Sequence, residues 1–182
     1  MVKVTLIAGS TRPEASTTRL CEYIARLLKE QGHEAEVFDL QQHPLPLYGP
    51  GEAYGHEEVL KLSAAAKGAD ALVLATPEYH GSLSGVLKNA LDFLNSESFN
   101  NKVVLAANSA GGQVGTASLL HLQTIVRNLH GINCPEWISI GGAQREFDQD
   151  GNPADEGVEL RIRTAVASFI DLAVKLTNAK EA

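Results

Sequence analysis

ALVLATPEYHGSLSGVLKNALD, residues 71–92, is the stretch that decides the fold. Its first part, ALVLA (71–75), is a short apolar run with the character of a buried strand, and Thr76-Pro77 ends it. A polar loop follows, and a helix is expected from near Ser84 with Val86, Leu87, Ala90, Leu91 and Leu94 on one face. Working outward, VKVTLIA (2–8), AEVFDL (35–40), VVLAA (103–107) and EWISI (136–140) also read as strands. Segments of helical spacing separate them. Leu20, Ile24, Leu27 and Leu28 form one face, stopped by Gly32, and Val59, Leu60, Leu62 and alanines 64–66 form the next. Leu119, Leu122, Ile125, Val126 and Leu129 form another, stopped by Gly131, and a last helix runs from about Glu156 to Leu176. Its inward residues are Ile162, Val166, Phe169, Ile170 and Ala173.

Strands that are continuously apolar, each followed by a helix, imply an α/β protein with a parallel sheet covered on both faces. Right-handed crossovers reduce the choice to a doubly wound, three-layer sheet of five strands, for which the order 2-1-3-4-5 is expected. That order gathers the loops after strands one, three and four around one crevice at the carboxyl edge, where such sheets bind ligands. At 182 residues the chain is expected to be one domain, 1–182. A formal net charge of −7 argues against a nucleic-acid partner. No run approaches the roughly 18 apolar residues of a membrane span. The start, MVKVTLIAGS, reads as a first strand and not a secretory signal. Cys21 on a helix and Cys134 at the start of a strand lack metal-ligand spacing, which points to a reducing cytoplasm.

The loop GSTRPEASTTR (9–19) is rich in hydroxyls and arginine. It leads into a helix N-terminus, where unpaired N–H groups and the positive end of the dipole favour an anion. Ser10, Ser16, Thr17 and Thr18 add hydroxyl donors, and Arg12 adds a planar fork suited to phosphate oxygens. A single hydroxyl there would be read as an ordinary helix cap. The loop has one glycine, Gly9, so neither the G-x-G-x-x-G fingerprint of a dinucleotide nor the G-K-[ST] ending of a triphosphatase is present. A terminal monophosphate fits better.

The second loop, Pro77-Glu78-Tyr79-His80-Gly81-Ser82, offers backbone amides, a glycine for close approach and an aromatic with a polar tip. It suits a flat polar heterocycle such as an isoalloxazine. The third, Asn108-Ser109-Ala110-Gly111-Gly112, lets the backbone run beneath a planar ligand, with Ser109 able to bond its edge. Phosphate and ring together suggest flavin mononucleotide. Neither Glu78 nor His80 stands out as an acid or base, so no catalytic side chain and no metal ligand is assigned. Lys88 and Asp92 form a helical i,i+4 pair of little individual worth. Residues 41–56 and 141–155 are longer than connection requires, which suggests function or an interface. The apolar 44–48 segment fits a subunit contact, a pocket rim or a simple cover.

Gly9, Ser10, Arg12 and Ser16; Pro77, Glu78, Tyr79, Gly81 and Ser82; Gly85, Leu87, Lys88, Asn89 and Ala90; and Ser109, Gly111 and Gly112 fall in the motif order of one group. Through them the chain resembles, over nearly its whole length, the NADPH-dependent FMN reductase family, the flavodoxin-like group of bacterial azoreductases, quinone reductases and chromate reductases. His80 stands where the family usually has Asn, and Ser84 where it often has Pro. The resemblance implies non-covalent FMN and a reduced nicotinamide, NADPH or NADH, as hydride donor. It also implies a small-molecule electron acceptor (a quinone, azo dye, metal oxyanion or free flavin) and a cytoplasmic homodimer or homotetramer. Two other readings compete: a flavodoxin-type FMN electron carrier without nicotinamide turnover, and a cofactor-free interaction module. A chain with 5% aromatics and an arginine in its phosphate loop fits the carrier less well.

Overall fold

In the computed structural model, which describes residues 1–181, five parallel strands lie in the order β2-β1-β3-β4-β5. The strands are β1 (Lys3–Ala8), β2 (Glu34–Asp39), β3 (Ala71–Glu78), β4 (Val103–Ala110) and β5 (Ile132–Gly141). The helices are α1 (Ser16–Glu30), α2 (Glu57–Gly68), α3 (Gly85–Asp92), a single turn α4 (Ser96–Phe99), α5 (Ala117–Asn128) and α6 (Glu156–Glu181). The expected order holds, and β1 stands between β2 and β3 at the point where the winding reverses.

Side chains alternate along each central strand, so two cores form, one per face. Val4, Leu6 and Ala8 pack with Val73, Leu105, Ile138 and the inner faces of α1 and α6. Ile7, Leu72, Leu74, Val104 and Ala106 pack with α2, α3 and α5. The three inner strands are buried almost throughout, whereas β2 and β5 at the edges alternate between covered and open positions. Cys21 and Cys134 are both buried free thiols, and loss of hydration pushes both above the usual thiol range. Neither is poised as a nucleophile.

Three boundaries depart from the sequence expectation. β3 continues through Thr76 and Pro77 to Glu78, because Pro77 pairs in register with Ser109 and needs no N–H of its own there. β4 likewise runs on to Ala110, so Ser109 is a strand residue. At the end of α5 it is His130, not Gly131, that takes the left-handed conformation, at φ 66°. Gly131 is required for a different reason, since a Cβ there would meet Val126 Cγ1 at 2.9 Å. Gly32 does close α1 in the left-handed region, at φ 81°.

The two long connections are folded onto the body. Asn89 of α3 accepts from Tyr48 N–H at 2.7 Å and donates to Pro46 C=O at 2.9 Å, clamping the 44–48 segment. Tyr48, Tyr54 and Phe93 then meet edge to face, with centroids 5.3–5.9 Å apart. In 148–152, Asp148 accepts from the N–H groups of Asp150 and Asn152, and those bonds hold its carboxyl below the usual range. Arg26 of α1 fills the loop, donating to Asp150 C=O and Asn152 Oδ1, each at 2.6 Å.

Gly9 closes the turn after β1 in close contact with β3 and α3. A Cβ there would lie 2.7 Å from Ala75 C=O and 2.8 Å from Leu87 Cβ. Gly9→Ala should therefore cost about 1–3 kcal/mol of overpacking. The expected result is a lower urea midpoint with an unchanged m-value, measured by circular dichroism.

Candidate active site

The ends of β1, β3, β4 and β5 open into a crevice of about 460 Å³. Ser10, Arg12, Ser16 and Thr17 line one wall, Pro77, Glu78 and Tyr79 the floor, and Ser109 and Gly111 the far side. Nine of the sequence-predicted residues are thus brought together. Thr18 is not among them: its hydroxyl is buried and takes no partner among the described residues. His80, Gly81, Ser82 and Gly112 lie on loops adjoining the crevice without lining it. Gly142 and Arg145, from the turn after β5, join the lining and were not expected.

The phosphate-loop end has spare donors. Ala15 is the N-cap of α1 and no side chain caps that helix, so the ordinary role of a hydroxyl at this position is not taken up. The first-turn N–H groups of α1 therefore face the crevice without an intrahelical acceptor. Ser16 Oγ bonds instead to Ser109 Oγ across the cleft, at 2.7 Å. That contact ties the end of β4 to the start of α1. Ser10 is buried, and its Oγ accepts from Arg12 N–H at 3.2 Å, which bends the loop. The Arg12 guanidinium is exposed and takes no partner among the described residues.

Glu78 is committed to the scaffold. Its Oε2 accepts from Ser118 N–H at 3.0 Å, Ser118 Oγ at 2.8 Å and Asn108 Nδ2 at 3.2 Å. A carboxylate at the start of α5 complements the helix dipole and joins β3 to that helix. Gly115 is shaped around this junction, since a Cβ there would lie 3.1 Å from the Glu78 carboxyl carbon. Ser84 is equally occupied. It caps α3 by accepting from Leu87 N–H at 3.2 Å, and it donates to Gly9 C=O at 2.6 Å.

Tyr79 and Ser82 exchange both backbone hydrogen bonds at 3.0 Å, closing a two-residue turn over His80 and Gly81. Both central residues have positive φ, 51° and 73°, the signature of a type I′ turn. The turn also explains the position where His replaces Asn. Asn-Gly is the favoured pair for this geometry because a short polar side chain tolerates the left-handed region. Ser82 Oγ rests 3.0 Å from His121 Nδ1 of α5, which steadies the turn from outside.

An open sheet wound this way, with its crevice at the switch point, is a flavodoxin-like fold. The chain belongs to the NADPH-dependent FMN reductase family, whose model matches residues 2–145. It is accordingly an oxidoreductase that uses FMN, with NADPH as the reductant. It is 36% identical to the FMN-dependent NADPH-azoreductase of Staphylococcus aureus, over 97% of this chain and 96% of that one. Among solved structures it is similar to FerB, a flavoenzyme NAD(P)H:(acceptor) oxidoreductase from Paracoccus denitrificans. That match has a TM-score of 0.76 and 23% identity, and covers 96% and 98% of the two chains. It is also similar to RosB with a bound 8-demethyl-8-formylriboflavin-5′-phosphate intermediate, at a TM-score of 0.80 and 18% identity, over 98% of this chain and 81% of that one. Family membership sets aside the electron-carrier and cofactor-free readings. Among the described residues, no helix is long and apolar enough to cross a membrane.

His80→Asn should leave the fold intact and raise its stability slightly, by up to about 0.5 kcal/mol, because Asn suits the left-handed region better. His80→Val should lose about 1–2 kcal/mol, since a branched Cβ is penalised there. Thermal melts of the three proteins check the ranking.

Proposed function

We propose that the crevice binds FMN with its phosphate at the start of α1 and its ring along Pro77–Ser82, and that the enzyme passes electrons from NADPH to a small acceptor. The observation that carries this reading is that the uncapped N-terminus of α1 and the unpartnered Arg12 guanidinium belong to one wall of the cleft that Tyr79 and Gly111 also line. A phosphate monoester would satisfy both at once. Ser10 and Thr17 can add hydroxyl donors, and Thr18, with its buried unpartnered hydroxyl, belongs to the same turn. Bound flavin supplies the redox chemistry, accepting a hydride from the nicotinamide and returning two electrons to the acceptor.

The protein's part is grip and orientation. The ring is proposed to lie against Pro77–Tyr79 and Gly111, which line the crevice, with the I′ turn of His80 and Gly81 and the adjoining Gly112 at its margin. Glu78 is engaged by Ser118 and Asn108 and is not free to transfer protons at the floor. Chemistry that needs only positioning agrees with that arrangement. An azo compound or a quinone is the proposed acceptor class, supported by the azoreductase relative. The protein is further proposed to be a cytoplasmic homodimer or homotetramer of one-domain subunits, and the exposed Leu47 with the aromatic cluster beside it fits the subunit contact.

Anaerobic titration of the flavin-loaded protein with NADPH should bleach the flavin stoichiometrically, and an azo dye or quinone should restore the colour. No bleaching would overturn the reading. Arg12→Ala should weaken FMN binding by about 1.5–3 kcal/mol, the worth of a charge-assisted hydrogen bond, as read by calorimetry.

A further inference from the structure

The crevice carries two arginines, and one flavin phosphate accounts for only one of them. Arg12 comes from the loop after β1, whereas Arg145 comes from the turn Gly142–Arg145 after β5. Resting on the flavin reading above, we infer that Arg145 binds the 2′-phosphate of the reductant and sets the preference for NADPH over NADH.

Three features support this assignment. The turn bearing Arg145 is tightly seated: a Cβ on Gly141 would collide with Gly112 C=O and lie 2.6 Å from Gln113 C=O. Gly142 follows in the left-handed region, at φ 54°, and Arg145 Nε donates to its carbonyl at 3.1 Å. The guanidinium is thereby tethered at one nitrogen, while its two terminal amino groups take no partner among the described residues. A planar fork with both ends free matches two oxygens of a phosphate monoester. Such a group carries about −1.5 to −2 charges at neutral pH, more than either phosphate of a pyrophosphate bridge offers.

The flavin phosphate and the nicotinamide 2′-phosphate share that chemistry, and position separates them. The first has the α1 N-terminus and Arg12 at its disposal. Arg145 stands exposed on the wall formed by the β5 turn, where a second nucleotide lying over the ring can reach it. Glu146, the next residue, also lines the crevice and opposes any anion there. Without the arginine a bare ribose would be tolerated and a phosphorylated one repelled.

Calorimetry with adenosine 2′,5′-bisphosphate, 5′-AMP and FMN tests this on the whole chain, with and without flavin. Wild type should bind the bisphosphate about tenfold or more tightly than 5′-AMP. Arg145→Gln should erase that margin while leaving 5′-AMP and FMN affinities unchanged, and Arg145→Lys should keep part of it. In turnover, KM for NADPH should rise about tenfold in Arg145→Gln with KM for NADH unaltered. Equal bisphosphate and 5′-AMP affinity in wild type, or a margin indifferent to residue 145, overturns the assignment. So does a parallel loss of FMN binding, which would give Arg145 to the flavin phosphate. Failure of the flavin reading itself shows separately, as wild-type protein that does not bind FMN.

Discussion

The close approach of Gly9 to β3 and α3 is the contact on which the site depends. Its N–H donates to Ala75 C=O at 2.8 Å, its carbonyl accepts from Ser84 Oγ, and Leu87 packs where a side chain would otherwise be. Three segments distant in sequence are joined at one residue that has no Cβ. Because β1 is an inner strand at the reversal of winding, this joint fixes where the 9–15 loop leaves the sheet. It also fixes where α3 begins. The crevice is the space left between loops that these bonds hold in place.

Around that joint, most polar side chains are consumed by the scaffold itself. Glu78 ties β3 to α5, Ser84 ties α3 to the turn after β1, and Ser16 and Ser109 tie the two walls. What remains for a ligand is backbone N–H, the hydroxyls of Ser10 and Thr17, and arginine. A division of that kind suits a redox cofactor, which needs to be held and aimed but brings its own reactivity.

The layer architecture was legible in the sequence because its information is local and redundant. The inner strands are largely apolar runs, the longer helices have stripes at helical spacing, and handedness narrows the strand order. The placement of Ser10, Arg12, Ser16 and Thr17 at the crevice was legible for the same reason, since they follow a strand and open a helix. Pairing partners were not. Whether Pro77 and Ser109 are loop or strand is settled by their register with each other, a relation between segments thirty-odd residues apart that periodicity cannot register. The partners of Glu78 were not legible because they arrive from β4 and α5, distant in sequence. The role of His80 is a backbone angle, and the histidine side chain drew attention away from it. Arg145 sits in a long polar loop whose composition resembles any exposed connection. Only the tight seating of Gly141 against residues 112 and 113 brings it to the crevice.

The segment between Thr76 and Ser84 is sealed at both ends. Ser84 N–H donates to Thr76 Oγ1 at 2.9 Å at its base, and the paired bonds of Tyr79 and Ser82 close its tip. A strap buckled twice has no slack, so an inserted or deleted residue would break one fastening or the other. Divergence of substrate choice at this edge is therefore confined to swapping side chains at constant length, while lengthening of the chain is left to the outer connections, 41–56 and 141–155.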